Sequence, residues 1–270
     1  MSTPLEKLFV NLRAENRAAL IAYIPAGFPT IDGCHKVIQA LKDGGVDAIE
    51  IGFPYSDPVM DGPTIQEAVE SSLKQGTKAK DVIAALKVAA ADSFPALVMT
   101  YWNPIERYGV KEFARAIADN GGSGVIHPDL TIEESAQWSD AVSESGINPI
   151  YVVALTTSED RLKRVASACR GFVYAASLMG VTGARAQVSG GAPDLVARLR
   201  KVTDTPVAVG LGVSTREQAK DVAAYADGVI VGSAFVKAIL DAPNLDEGLK
   251  AVQTLASELA LGVREARSKI

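Results

Sequence analysis

Eight short apolar runs recur along the 270-residue chain, at 19–24, 48–52, 96–101, 124–126, 149–154, 172–177, 207–212 and 227–232. Their apolar residues occupy both faces instead of alternating, the pattern of parallel strands covered on each side. Between consecutive runs lie segments with helical spacing, such as Val37, Leu41 and Val46 or Phe113, Ile117 and Ala118. Each segment is long enough for the crossover helix that parallel pairing requires. Eight such units in roughly 250 residues suit a closed (β/α)8 TIM barrel better than an open doubly wound sheet. Ahead of the first run, Thr3 and Glu6 form a T-x-x-E box, Pro4 sits in the first turn, and Leu5, Leu8, Phe9 and Leu12 share one face, which predicts an extra N-terminal helix. The last segment carries Leu245, Leu249, Val252, Leu255 and Leu259 on one stripe. With no linker or low-complexity segment to divide the series, residues 1–270 read as a single α/β domain.

Composition narrows the function. A hydrophobic content of 48% supports a large core. A net charge of −5 without a basic cluster argues against a nucleic-acid surface, whose affinity depends on Lys and Arg neutralising phosphates. The chain shows neither a signal-peptide pattern nor a window near the roughly 20 apolar residues that span a bilayer, so no membrane partner is expected and the expected location is the cytoplasm. Cys34, Cys169, His35 and His127 fall at no metal-binding spacing, so no metal is expected, and the cysteines read as small buried residues.

In a barrel of this kind functional groups collect where strands end and βα loops begin. The stretch EIGFPYSDPVMDG, residues 50–62, starts at such a point. Strand alternation places Ile49 and Ile51 on the helix-facing side and leaves Glu50 pointing into the upper mouth. A carboxylate buried there must find a partner or take up a proton, which makes Glu50 a candidate acid/base. Asp61 and Asp57 lie in the following turn-rich segment. Either could be a turn former or a second functional acid, and periodicity does not separate them.

Two glycine-rich strand ends suggest a phosphate site. Gly210, Leu211 and Gly212 lead to a helix expected to start at Ser214, with Glu217 completing an S-x-x-E box; one strand later come Gly232 and Ser233. Backbone amides in such turns and at helix N-termini can hold a phosphate without lysine, and the loops after strands seven and eight are where barrels of this type do so. A long small-residue loop at 179–191 reads as a lid.

Taken together, the motifs resemble the tryptophan synthase alpha chain family. EIGFPYSDPVMDGPTIQ matches that family's long signature, and YIPAGFP, MTYWNP, HPDL, GVTGA, GLGVST and IVGSA follow in the family's order over nearly the whole chain. The resemblance implies a lyase that cleaves indole-3-glycerol phosphate to indole and glyceraldehyde 3-phosphate. It implies Glu50 and Asp61 as the catalytic pair, which chooses Asp61 over Asp57. It implies Gly183, Gly212, Gly232 and Ser233 as phosphate binders, Tyr174 beside the active site, and Tyr23, Met99, Tyr101, Val152 and Leu211 as walls for the indole. Thr182 on the lid would hold Asp61. The implied partner is a β chain that uses pyridoxal phosphate, in an α2β2 heterotetramer, with no cofactor assigned to this chain. Pro54, Pro58 and Met60 read as an exposed docking patch. Because Glu50 is fixed on a strand whereas Asp61 rides a loop, the isolated chain is expected to be slow until the loops bearing Asp61 and Thr182 close. Pro25, Phe28, Trp102, His127 and Thr131 depart from residues common in the family. A sugar-phosphate isomerase on a similar barrel and a non-catalytic subunit remain as rival readings.

Overall fold

All eight apolar runs become strands. The computed structural model describes residues 2–176, 191–210 and 212–267. Its elements run α1 (Pro4–Ala14), β1 (Ala19–Pro25), α2 (Ile31–Asp43), β2 (Ala48–Gly52), α3 (Pro63–Lys74), α4 (Ala79–Ala89), β3 (Ala96–Met99), α5 (Trp102–Tyr108), α6 (Val110–Asp119) and β4 (Gly124–His127). They continue with α7 (Ala136–Ser145), β5 (Asn148–Ala154), α8 (Glu159–Ala168), β6 (Val173–Ala176), α9 (Ala192–Arg200), β7 (Val207–Gly210), α10 (Arg216–Ala223), β8 (Gly228–Val231), α11 (Ser233–Leu240) and α12 (Leu245–Glu265). The strands pair in parallel in chain order, and β8 returns to β1 with Gly228 opposite Ala19, closing the barrel. Strand β3 stops at Met99, two residues short of its apolar run, because Tyr101 turns away to become the N-cap of α5.

Alternation along each strand sorts the side chains into two cores. Ile21, Leu97, Ile126, Ile150, Ala208 and Ile230 fill the barrel, whereas Ile49, Ile51, Val98, Val125 and Val229 face the helices. Helix α1 closes the lower end of the inner core: its Leu5, Phe9 and Leu12 join that cluster, and Phe9 lies 5.8 Å from the ring of Phe172. Thr3 serves twice there, accepting the Glu6 N–H as an N-cap and the buried Asn148 side-chain N–H at 2.8 Å. On α12 the buried stripe is Gly248, Val252, Ala256, Leu259 and Val263, with Leu249 and Leu255 packed at its edges. Cys34 and Cys169 are buried free thiols. Among the described residues no helix is long and apolar enough to cross a membrane.

Two aspartates pin the strand register at the lower rim. Asp47, just before β2, accepts the Leu20 N–H and an Arg17 N–H, each at 2.8 Å. Asp227, just before β8, accepts the Val207 N–H at 2.8 Å and pairs with Arg200. A slip of one residue would turn every side chain of a strand to the other face, so these bonds help hold Glu50 inside the barrel. Asp47→Ala removes an acceptor from a backbone amide and from a guanidinium, and is expected to destabilise the fold by roughly 1–3 kcal/mol. Urea unfolding read by circular dichroism measures it, with Asp47→Asn, which keeps an acceptor oxygen, expected to lose less.

Candidate active site

Glu50 lies on the inner face of β2, in register with Tyr23 on β1 and Leu97 on β3. It is fully buried, and among the described residues neither carboxyl oxygen has a hydrogen-bond partner. Burial pushes its pKa up to about 8, so the side chain is neutral at pH 7. Tyr23 and Tyr174 stand close by. A Cβ on Gly52 would strike the Tyr23 hydroxyl, and one on Gly210 would come within 2.5 Å of the Tyr174 hydroxyl. These glycines at the strand ends therefore serve as slots for two aromatic rings over the carboxyl.

Asp61 reaches the same cavity from the irregular connection between β2 and α3, where Pro54 and Pro58 preclude ladder pairing and Pro63 starts the helix. Its carboxyl is pushed up to about 6 by burial, an effect opposed by the Tyr101 hydroxyl that donates to Oδ1 at 3.4 Å. Asp57, by contrast, is exposed and takes a bond from the neighbouring Ser56 hydroxyl. Two carboxyl groups with different pKa values thus share one cavity, the arrangement that lets one act as acid while the other stays ionised.

The cavity opens to solvent at the barrel mouth and encloses about 570 Å³ when the open space at its mouth is included. Gly212, Gly232 and Ser233 contribute to its wall. Gly212 adopts a φ of +70°, which turns the chain at the end of β7. Gly232 is the N-cap of α11 and brings no side chain to that helix end, so its opening amides lie at the cavity. The helix after β7 differs from expectation. Thr215, not Ser214, is its N-cap and accepts the Gln218 N–H, while the Gln218 side chain, not Glu217, reaches back to the Ser214 N–H at 2.8 Å. Its own polar side chains therefore occupy this helix end, leaving Gly212 and the start of α11 as backbone that faces the cavity without a capping side chain.

Of the residues singled out by sequence, Tyr23, Glu50, Asp61, Met99, Tyr174, Gly212, Gly232 and Ser233 line this one cavity. Tyr101 sits behind Asp61, and Val152 packs in the inner core level with Tyr174. Thr182, Gly183 and Leu211 lie outside the described residues, as does most of the 179–191 loop. Sequence reasoning missed Ile65 and Ile230 as wall residues. Ile230 was legible as an inward position of β8; Ile65, in the first turn of α3, gave no signal.

The expected docking patch needs correction: Pro54 is buried, Pro58 and Met60 are half-buried, and Met60 belongs to the cavity wall. Between Pro58 and Met60, Val59 is 71% exposed. Trp102 and His127 pack against each other and against Trp138 in the outer layer, with the His127 and Trp138 rings 4.8 Å apart. Pro25 ends β1 and Phe28 is buried in the outer core, while the Thr131 hydroxyl binds Glu134.

Comparison with known proteins supplies a family. The family model described as tryptophan synthase alpha chain matches residues 9–264. The tryptophan synthase alpha chain of Streptomyces avermitilis is 54% identical over 253 residues, covering 93% of this chain and 91% of the relative. That of Thermobifida fusca is 51% identical over 267 residues, covering 98% and 99%. Among solved structures, tryptophan synthase from Mycobacterium tuberculosis superposes with a TM-score of 0.91 at 49% identity, covering 98% of this chain and 99% of the other. The alpha chain from Legionella pneumophila gives 0.88 at 30% identity, covering both chains fully.

The environment of Glu50 has a measurable consequence for stability. Its pKa rises from 4.5 to about 8 on folding, so the folded state binds the extra proton. The contribution of Glu50 to stability is fully present below the unfolded pKa and is lost as pH rises through the folded one. Glu50→Gln cannot ionise. The variant is expected to match wild type below about pH 5 and to unfold at higher urea than wild type above about pH 8, as read from denaturation midpoints across that range.

Proposed function

The chain belongs to the tryptophan synthase alpha chain family, and from that premise we propose how its barrel mouth works. It is a carbon–carbon lyase of tryptophan biosynthesis that cleaves indole-3-glycerol phosphate to indole and D-glyceraldehyde 3-phosphate. One observation carries the assignment of roles: a buried Glu50, without a hydrogen-bond partner among the described residues, and a second acid, Asp61, line a cavity whose wall also includes Gly212, Gly232 and Ser233.

Indole is a carbon leaving group, so its C3 must gain a proton before the bond to the glycerol carbon breaks. Neutral Glu50 supplies that proton. The carboxylate it becomes then removes the proton of the hydroxyl on the adjoining glycerol carbon as the C–C electron pair returns to the ring. One residue is thus acid and then base, and ends the cycle protonated as it began. Protonated C3 leaves positive charge on the ring, and ionised Asp61 accepts the indole N–H bond and stabilises it. Tyr23, Met99, Tyr174 and the half-buried Met60 offer the ring an aromatic and thioether wall. Gly212 and the α11 start bind the phosphate through backbone amides, which suits an acidic chain lacking a basic cluster.

A tryptophan synthase β chain is the partner that this family implies. We place the chain in an α2β2 heterotetramer in the cytoplasm, acting as one domain. The rival isomerase reading would need one carboxylate and gives Asp61 no task.

Purified chain, alone and with β chain, is expected to release indole from indole-3-glycerol phosphate. Glu50→Gln should lose roughly 10²–10⁴-fold in rate while still binding glycerol 3-phosphate. The kcat/KM profile should be bell-shaped, rising as Asp61 ionises near pH 6 and falling as Glu50 ionises near pH 8. Asp61→Asn retaining wild-type turnover would remove Asp61 from the catalytic pair, and wild-type chain that releases no indole but isomerises a sugar phosphate would favour the isomerase. Binding without turnover, even with β chain present, would indicate a regulatory subunit.

A further inference from the structure

Tyr101 is 6% exposed and stands behind Asp61. Its hydroxyl accepts the Met60 N–H at 3.1 Å and donates to Asp61 Oδ1 at 3.4 Å. Its ring packs on Tyr55, centroid to centroid 5.2 Å, at an angle of 35°. One side chain therefore grips the acid-bearing segment near both ends. Tyr101 is itself anchored: it is the N-cap of α5, and the next amide, Trp102 N–H, is held by both carboxyl oxygens of Asp129 at 3.0 and 3.1 Å. From the other side, the Gln66 side chain binds the Asp61 carbonyl at 2.8 Å. The backbone of Asp61 is thus tied to α3, and its carboxyl is tied to the end of β3.

We propose that Tyr101 is a positioning residue for the cleavage, a post that aims the Asp61 carboxylate at the indole N–H. The inference rests on the lyase reading above. A phenol that accepts an amide N–H is polarised toward donating its own proton, so the Met60 bond strengthens the bond to Asp61. The distance to Asp61 is long, as such bonds commonly are before ligand arrives. Tyr101 also favours the ionised form of Asp61, since it donates to the anion and opposes the upward push of burial. The other titratable groups sensing Asp61 among the described residues are Tyr23 on β1 and Tyr174 on β6, both held neutral by burial; Glu50 shares the cavity and is neutral below its own titration. Among the described residues, Tyr101 alone donates a hydrogen bond to the Asp61 carboxyl.

Tyr101→Phe keeps the ring and removes both hydroxyl bonds. Loss of a hydrogen bond to a charged group corresponds to roughly 10- to 100-fold in rate. The expected result is a kcat lower by that factor, an acid limb of kcat/KM displaced to higher pH, unchanged binding of glycerol 3-phosphate, and no further loss when the substitution is added to Asp61→Asn. A limb that stays in place, or losses that multiply in the double variant, would overturn the proposal. A folding defect lowers the rate at every pH without moving the limb and so counts against it. Failure of wild-type chain to release indole, with β chain present, would instead remove the lyase reading itself. Wild-type cleavage with an unaltered Tyr101→Phe profile would remove only the role of Tyr101.

Discussion

A carboxyl group out of reach of water and without a partner is tolerable only when neutral, and the mouth of this barrel is organised around that constraint at Glu50. Strand β2 holds the residue where neither carboxyl oxygen finds a hydrogen-bond partner among the described residues. The register bonds of Asp47 and Asp227 matter for chemistry as well as stability, because a slipped strand would send Glu50 into the outer layer. Gly52 and Gly210 matter as well: they leave room for the rings of Tyr23 and Tyr174, which line the same cavity as the carboxyl. Far below, Leu5, Phe9 and Leu12 of α1 seal the opposite end of the inner core.

The second acid is built on a different principle. Glu50 is immobilised by the sheet on which it lies, whereas Asp61 belongs to a segment that cannot join a ladder and is located by individual bonds from Tyr101 and Gln66. Rigid and adjustable carriers suit their tasks. A proton must pass between Glu50 and ring carbon over a short, fixed path, while Asp61 has to meet a ring N–H that is present only when substrate is bound. The difference in environment also separates their ionisation, one neutral and one charged near pH 7.

Much of this was legible before any coordinates. The eight runs and their intervening helices specify a parallel closed sheet, and alternation alone places Glu50 inward. The Thr3 cap and the face of α1 were readable because capping and helical periodicity are local. Where this reading failed, a competing interaction, local or distant, had decided the outcome. Strand β3 ends early because Tyr101 is drawn into the cap of α5. Gln218 outcompetes Glu217 for the start of α10, so the cap moves one residue on. Pro54, read as part of an exposed docking patch, is covered by tertiary packing, and Trp102 at the start of α5 meets His127 at the end of β4 in the outer layer.

By itself the sequence determined the sheet, its parallel sense, the inward face of each strand and the glycine-rich strand ends, since these follow from period-two and period-3.6 patterns and from backbone stereochemistry. Only the tertiary structure decided that Asp61 and not Asp57 shares a cavity with Glu50, that Glu50 has no partner there among the described residues, and that Tyr101 acts on Asp61 from behind. Those facts depend on distances between residues some 10 to 40 positions apart, and the pKa of a carboxyl is set by what surrounds it in space, which no pattern along the chain encodes.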